Sequence, residues 1–257
     1  MSKIAVCYFS YYKDKDFINN SLKVLEKTIK VNPQHEVRIY VFDDGRCEKS
    51  LKKKELYGQP TLIKTNFDRK GNLNGFDCIE GMFSEYKKIQ DKFDYDYLIK
   101  LDSDCCLNSL NFIHRTEEEM KKANIPLNKI GQIGSYFAQI CIVGCCQTFG
   151  KEGINLLHGL FQRLKNPITN DDKILKKRIE LGYNEDKVIS IIMEMSPLVK
   201  INIDSIKNLK GNCNAFDNPL DTDYSGYTSV AFKPNYFSNN KTWTREKSLE
   251  LMSRYAE

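Results

Sequence analysis

Tyr97-Leu98-Ile99-Lys100-Leu101-Asp102-Ser103-Asp104 decides how this chain is read. The short apolar run reads as a buried strand, and it stops at two carboxylates. Side chains two apart on a strand project the same way, so Asp102 and Asp104 are expected on one side of the strand end. Like charges held that close cost free energy unless something positive neutralises them, and a hard divalent cation with oxygen ligands is the natural counter-charge. A cation site at the carboxyl end of a strand in turn suggests bound phosphate.

Upstream of this stretch the chain alternates between two periodicities. Ile4 to Tyr8 reads as a strand, and Phe17, Ile18, Leu22, Leu25 and Ile29 recur at helical spacing until Asn32-Pro33 stops them. A second β-rich run, Val37 to Phe42, ends in Asp43-Asp44-Gly45, and a third short strand is predicted at Pro60 to Lys64. Beyond the polar loop Asn66 to Asn74, residues Phe76, Ile79, Met82, Phe83, Tyr86 and Ile89 mark one helix face. Strands alternating with helices predict an α/β fold with a mainly parallel central sheet flanked by helices, in which ligands collect beyond the carboxyl ends of the strands. Asp43-Asp44 and Asp102-Asp104 end different strands, so such a sheet can bring both acidic motifs to one rim.

Downstream the pattern is less regular. A helix is predicted over 107–122, one or two strands interrupted at Gly144 over Ile133 to Gln147, and a helix over Lys151 to Leu164. A further helix begins near Asn184. Between Gly211 and Gly226 the chain is rich in Asn, Asp, Pro and Gly, the composition of a long loop that could act as a lid. Leu249, Met252 and Tyr255 share a face of a terminal helix. The expected organisation is one domain over 1–257, with a nucleotide-binding half (1–106), an acceptor-side half (107–210), and a lid loop with C-terminal helix (211–257).

Composition narrows the class. The 257 residues are 41% apolar and 28% charged, ordinary values for a globular chain, and no stretch approaches a membrane span. Met1-Ser2-Lys3 leads straight into a strand-like run without a signal peptide's apolar core, so a cytoplasmic location is expected. The nine cysteines are an odd number and include the doublets Cys105-Cys106 and Cys145-Cys146, a pattern that fits reduced, buried thiols better than a disulfide framework or a zinc site. The net charge of +5 shows one cluster, at Lys49, Lys52, Lys53 and Lys54. It reads as a solvated face, with peripheral contact to an anionic membrane as the alternative, and no nucleic-acid-binding motif accompanies it.

The order of strand, helix, strand ending in Asp-Asp-Gly, then a later Leu101-Asp102-Ser103-Asp104, resembles the nucleotide-sugar glycosyltransferases of the GT-A fold, family-2-like, over most of residues 1–200. The resemblance implies a metal-dependent transfer of a sugar from a nucleoside-diphosphate donor, most simply a UDP-sugar, to an acceptor hydroxyl on a glycan, a lipid-linked sugar or a protein. It places Ser10 and Tyr11, with Asp43 and Asp44, around the base and ribose. Asp102 and Asp104 would reach the ribose and an Mn2+ or Mg2+ ion bridging the diphosphate, with Asp104 the preferred direct ligand. Such an ion stabilises negative charge on the leaving diphosphate. Arg69, before Gly71-Asn72-Leu73-Asn74-Gly75, is a candidate phosphate contact, as is Lys233.

Asn184-Glu185-Asp186 looks like the acidic pair that opens a helix in inverting members, which makes Asp186 the candidate base for the acceptor hydroxyl. The same residues also suit a helix start on capping and dipole grounds alone. A third metal ligand, often His in the family, has no His after residue 158 to supply it, so Asn214, Asp217, Asp221, Asp223 or water would substitute. Two other readings compete. A nucleotide-sugar-binding protein of the same fold could lack turnover. A haloacid-dehalogenase-like phosphatase would use Asp102 and Asp104 as nucleophile and acid/base, which leaves Asp43-Asp44 unexplained.

Overall fold

The computed structural model describes residues 1–10, 12–43, 49–67, 75–137, 141–142, 146–181, 185–215, 223–224, 226–232 and 244–257. In chain order its strands and helices are β1 (Lys3–Ser10), α1 (Lys15–Lys30), β2 (Glu36–Asp43), β3 (Thr61–Lys64), α2 (Phe76–Lys92), β4 (Tyr97–Asp102), β5 (Cys105–Leu107), α3 (Asn111–Lys122), β6 (Ile130–Gly134), β7 (Tyr136–Phe137), β8 (Cys141–Ile142), β9 (Cys146–Gly150), α4 (Lys151–Lys165), α5 (Asn170–Glu180), α6 (Glu185–Glu194), β10 (Val199–Asn202), β11 (Asn212–Asn214), β12 (Ser229–Ala231) and α7 (Arg245–Ala256).

A seven-stranded sheet in the order β10-β6-β9-β4-β1-β2-β3 forms the centre. It is parallel except for β9, which runs antiparallel to both β4 and β6. Helices cover both faces, so the central strands are apolar throughout, and the period of two merely sorts their residues. On β1, Ala5, Cys7 and Phe9 join α2, α4 and α6 in one core cluster, whereas Ile4, Val6 and Tyr8 join α1 and α3 in the other. The first cluster centres on rings: Phe9 stacks on Phe42 at 4.6 Å, and Tyr86 meets Phe83, Phe9, Phe42 and Phe149. Where α4 crosses β6 only glycine fits, since a Cβ on Gly153 would lie 2.2 Å from the Gly131 carbonyl oxygen.

The expected α/β sheet is present, with differences of detail: β10 was not expected, and the stretch expected as one or two strands over Ile133 to Gln147 holds parts of β6, β7, β8 and β9. The segment predicted as one helix from 107 begins at Asn111, and Cys105–Leu107 is instead a strand, too short to show periodicity. α5 was not predicted, because only Asp172 and Ile179 of its eleven residues are buried and so narrow a stripe carries little helical signal. The expected lid begins as a strand: β11 pairs with β12, and β12 pairs antiparallel with β5, which straps this part of the C-terminal region to the chain just after Asp104. Residues 216–222 and 225 of that lid lie outside the described residues. Cys7, Cys78, Cys105, Cys106, Cys146 and Cys213 are buried free thiols, as expected. Among the described residues no helix is long and apolar enough to cross a membrane.

Candidate active site

Register alone brings the two acidic motifs together. Phe9 of β1 pairs with Asp102 of β4 on one side, and Ser10 pairs with Asp43 of β2 on the other. Both strands run parallel to β1, so Asp43 and Asp102 end at the same rim with one strand between them, about 10 Å at the usual strand spacing. Ser10 is fully buried there, and Asp43 is nearly so.

Asp43 is built into the rim. Its Oδ2 accepts a hydrogen bond from the Leu51 amide at 3.1 Å, and its carbonyl accepts from the Thr65 amide and hydroxyl, both at 3.0 Å. The side chain therefore ties Leu51 to the end of β2, while the backbone docks the end of β3.

β4 ends at Asp102, and Ser103 and Asp104 form the turn into β5. Strand alternation, expected to fix both carboxylates on one side, consequently governs Asp102 only. Asp104 is oriented by the turn, and its carbonyl accepts the Phe232 amide at 2.8 Å, which fastens the segment after β12 to the motif.

Alternation does put Lys100 on the same face as Asp102, and here the structure adds what the sequence reading passed over. Lys100 is buried, with Nζ 2.8 Å from Asp102 Oδ1 and 3.1 Å from Glu185 Oε1. Gln147 of β9 lies opposite Lys100 in register, and its Nε2 donates to Asp186 Oδ1 at 2.8 Å and to the Ile142 carbonyl at 3.3 Å. These contacts join the end of β4, the start of β9 and the first turn of α6. Burial disfavours the charged form of Lys100, but Asp102, Glu185 and Asp186 outweigh it and hold the ammonium well above its ordinary range. Burial pushes Glu185 up to about 7, with Lys100 pulling the other way. A lone lysine inside an apolar strand was the available signal, because a buried ammonium requires buried counter-charge.

Of the other expected site residues, Tyr11, Asp44, Arg69 and Lys233 lie outside the described residues, as do Asp217 and Asp221. Among the described residues no group of three or more His, Cys, Asp or Glu side chains converges into a metal cluster. Asp102 and Asp104 are nevertheless hard oxygen donors of the kind that suit Mn2+ or Mg2+.

No protein-family model matches the chain, and no curated protein matches it in sequence. Solved structures do. A crystal structure of the galactosyltransferase LgtC in complex with donor and acceptor sugar analogues aligns over 98% of this chain and 95% of its own, at 12% identity and a TM-score of 0.50. The chain has the GT-A glycosyltransferase fold. The apo form of the glycosyltransferase GlyE of Streptococcus pneumoniae TIGR4 aligns over 99% of this chain at 14% identity and a TM-score of 0.52. The apo bifunctional glycosyltransferase WbbM aligns over 99% at 10% identity and a TM-score of 0.51. This GT-A chain corresponds to 60% of the GlyE chain and 50% of the WbbM chain, and to nearly all of LgtC.

Proposed function

We propose that this GT-A protein is a glycosyltransferase that moves a sugar from a nucleoside-diphosphate donor, a UDP-sugar in the simplest case, to an acceptor hydroxyl. The observation that carries this reading is the shared rim on which Ser10, Asp43 and Asp102 end adjacent strands, with Asp104 in the next turn. Ser10 and Asp43, with Tyr11 and Asp44 beside them in sequence, would receive the nucleoside. Asp102 and Asp104 would hold Mn2+ or Mg2+, and Asp104 is the better direct ligand because Lys100 already draws on the charge of Asp102. Such an ion, when bound, offsets the negative charge that develops on the departing diphosphate. Arg69 and Lys233 are proposed to contact the same phosphates.

Asp186 is the proposed base. It sits in the first turn of α6, where Gln147 of β9 donates to its Oδ1 and the preceding Glu185 pairs with Lys100 of β4. From there it would take the acceptor hydroxyl's proton as that oxygen attacks the anomeric carbon opposite the diphosphate, an inverting transfer.

Thermal shift with a panel of nucleotide sugars and Mn2+, followed by NMR of the product's anomeric configuration, tests both levels. Stabilisation by a nucleotide sugar and formation of the inverted glycoside are expected. Absence of stabilisation by every donor would sink the transferase reading. A retained configuration would remove Asp186 from the role of base, and stabilisation without turnover would favour a sugar-binding protein.

A further inference from the structure

The buried lysine in β4 joins two parts of the site that approach the reaction from different sides. Asp102 closes the donor rim, and Glu185 opens α6 immediately before Asp186. Lys100 reaches Asp102, two residues on, at 2.8 Å and Glu185, 85 positions away, at 3.1 Å. Its side chain is 1% exposed and that of Glu185 only 9%, so water cannot substitute for either partner. A helix begins where its first turn is held, and here a side chain of that first turn is fixed to the middle of the sheet. Gln147 adds a second tie from β9 to Asp186 itself.

We infer that Lys100 and Glu185 are a positioning pair for sugar transfer, which sets the first turn of α6, and with it Asp186, at a fixed distance from the donor rim. The inference rests on the transferase reading above and deepens it. Neither residue needs to touch donor or acceptor. The pair acts by geometry, and a shift of Asp186 of about 1 Å is enough to cost roughly 100-fold in rate.

Glu185→Leu cuts the bridge while Lys100 keeps Asp102 as partner, and Glu185→Gln retains an oxygen acceptor for the ammonium. Amide hydrogen exchange in the full chain reads the geometry directly, without any sugar donor. With Glu185→Leu, protection of the amides of residues 189–192, which donate to the first-turn carbonyls of α6, is expected to fall about tenfold or more beyond any change in β1 and β2, and Glu185→Gln is expected to restore it. In the transfer assay, Glu185→Leu should lower kcat about 100-fold with donor KM within about threefold, and Glu185→Gln should recover most of kcat.

Unchanged exchange at α6, or a melting temperature that drops while kcat holds, overturns the inference and leaves the pair a purely structural one. Lost protection in the variant, together with no transfer by the unaltered protein from any nucleotide sugar, instead overturns the transferase reading.

Discussion

Asp43 and Asp102 end strands on either side of β1, one in register with Ser10 and the other with Phe9. The pairing fixes them to the same rim, because a one-residue slip would carry every buried side chain of these strands from its own core cluster into the one on the opposite face. The donor site proposed here therefore rests on the sheet itself.

Asp104 is partly exposed in the turn after β4, so its replacement is expected to affect chemistry more than folding. Asp104→Asn should lower metal-dependent transfer about 100-fold or more and shift stability by less than about 1 kcal/mol. Chelation by EDTA should abolish transfer by the unaltered protein, with recovery on adding Mn2+. Activity that survives both treatments would remove the cation from the proposal.

Asp43 ties the chain together as well as standing in the proposed nucleoside site. Asp43→Ala removes the acceptor for the Leu51 amide and is expected to cost about 1–3 kcal/mol in urea denaturation. Nucleotide affinity should fall as well, by calorimetry with UDP. A variant as stable as the parent would mean that the 3.1 Å bond does not hold this segment.

Tyr86 offers the opposite case. Its ring is buried among other aromatic rings, and its hydroxyl has no hydrogen-bond partner among the described residues. Burial holds the phenol well above its ordinary range, with Cys7, Glu185 and Asp102 adding to it. Tyr86→Phe removes a polar group that no described residue satisfies and should leave stability unchanged or raise it by up to about 1 kcal/mol. A loss above that size in chemical denaturation would show that the hydroxyl is satisfied in solution.

Gly153 tests the approach of α4 to β6. Gly153→Ala would drive a methyl group to 2.2 Å from a backbone oxygen that has no rotamer to escape into. A loss of about 1–3 kcal/mol or more is expected, against a near-neutral Gly159→Ala on the same helix, where the space is open.

His35 and His158 give the acid side of the stability profile. Burial lowers both, and the amino terminus and His114 push His35 further down against the pull of Glu117. A histidine whose folded pKa lies below its unfolded value makes the unfolded chain bind more protons, so stability is full above about pH 6.5 and is lost as pH falls below it. The urea midpoint should therefore decline below that pH, with a shallower decline in His35→Phe. A flat midpoint across this range would exclude the contribution.

The alternation of strand and helix, the parallel sheet and the two acidic strand ends were legible in the residues, because each rests on local periodicity and on turn chemistry. Asp43 and Asp102 could be named as neighbours only conditionally, since composition and spacing say that strands exist but not which lie side by side. β5, β11 and β12 escaped because three residues carry no period, and α5 because its buried stripe is too narrow.

Lys100 marks the boundary between the two kinds of information. Its place in an apolar strand already required a buried partner of opposite charge, and that much followed from the amino-acid order by the cost of desolvating an ammonium group. Which carboxylates answered, Asp102 two residues away and Glu185 from a distant helix, was decided only when α6 packed across the sheet. Local interactions write the elements into the chain, whereas the contacts that tie the first turn of α6 to β4 and β9 exist only in the folded molecule.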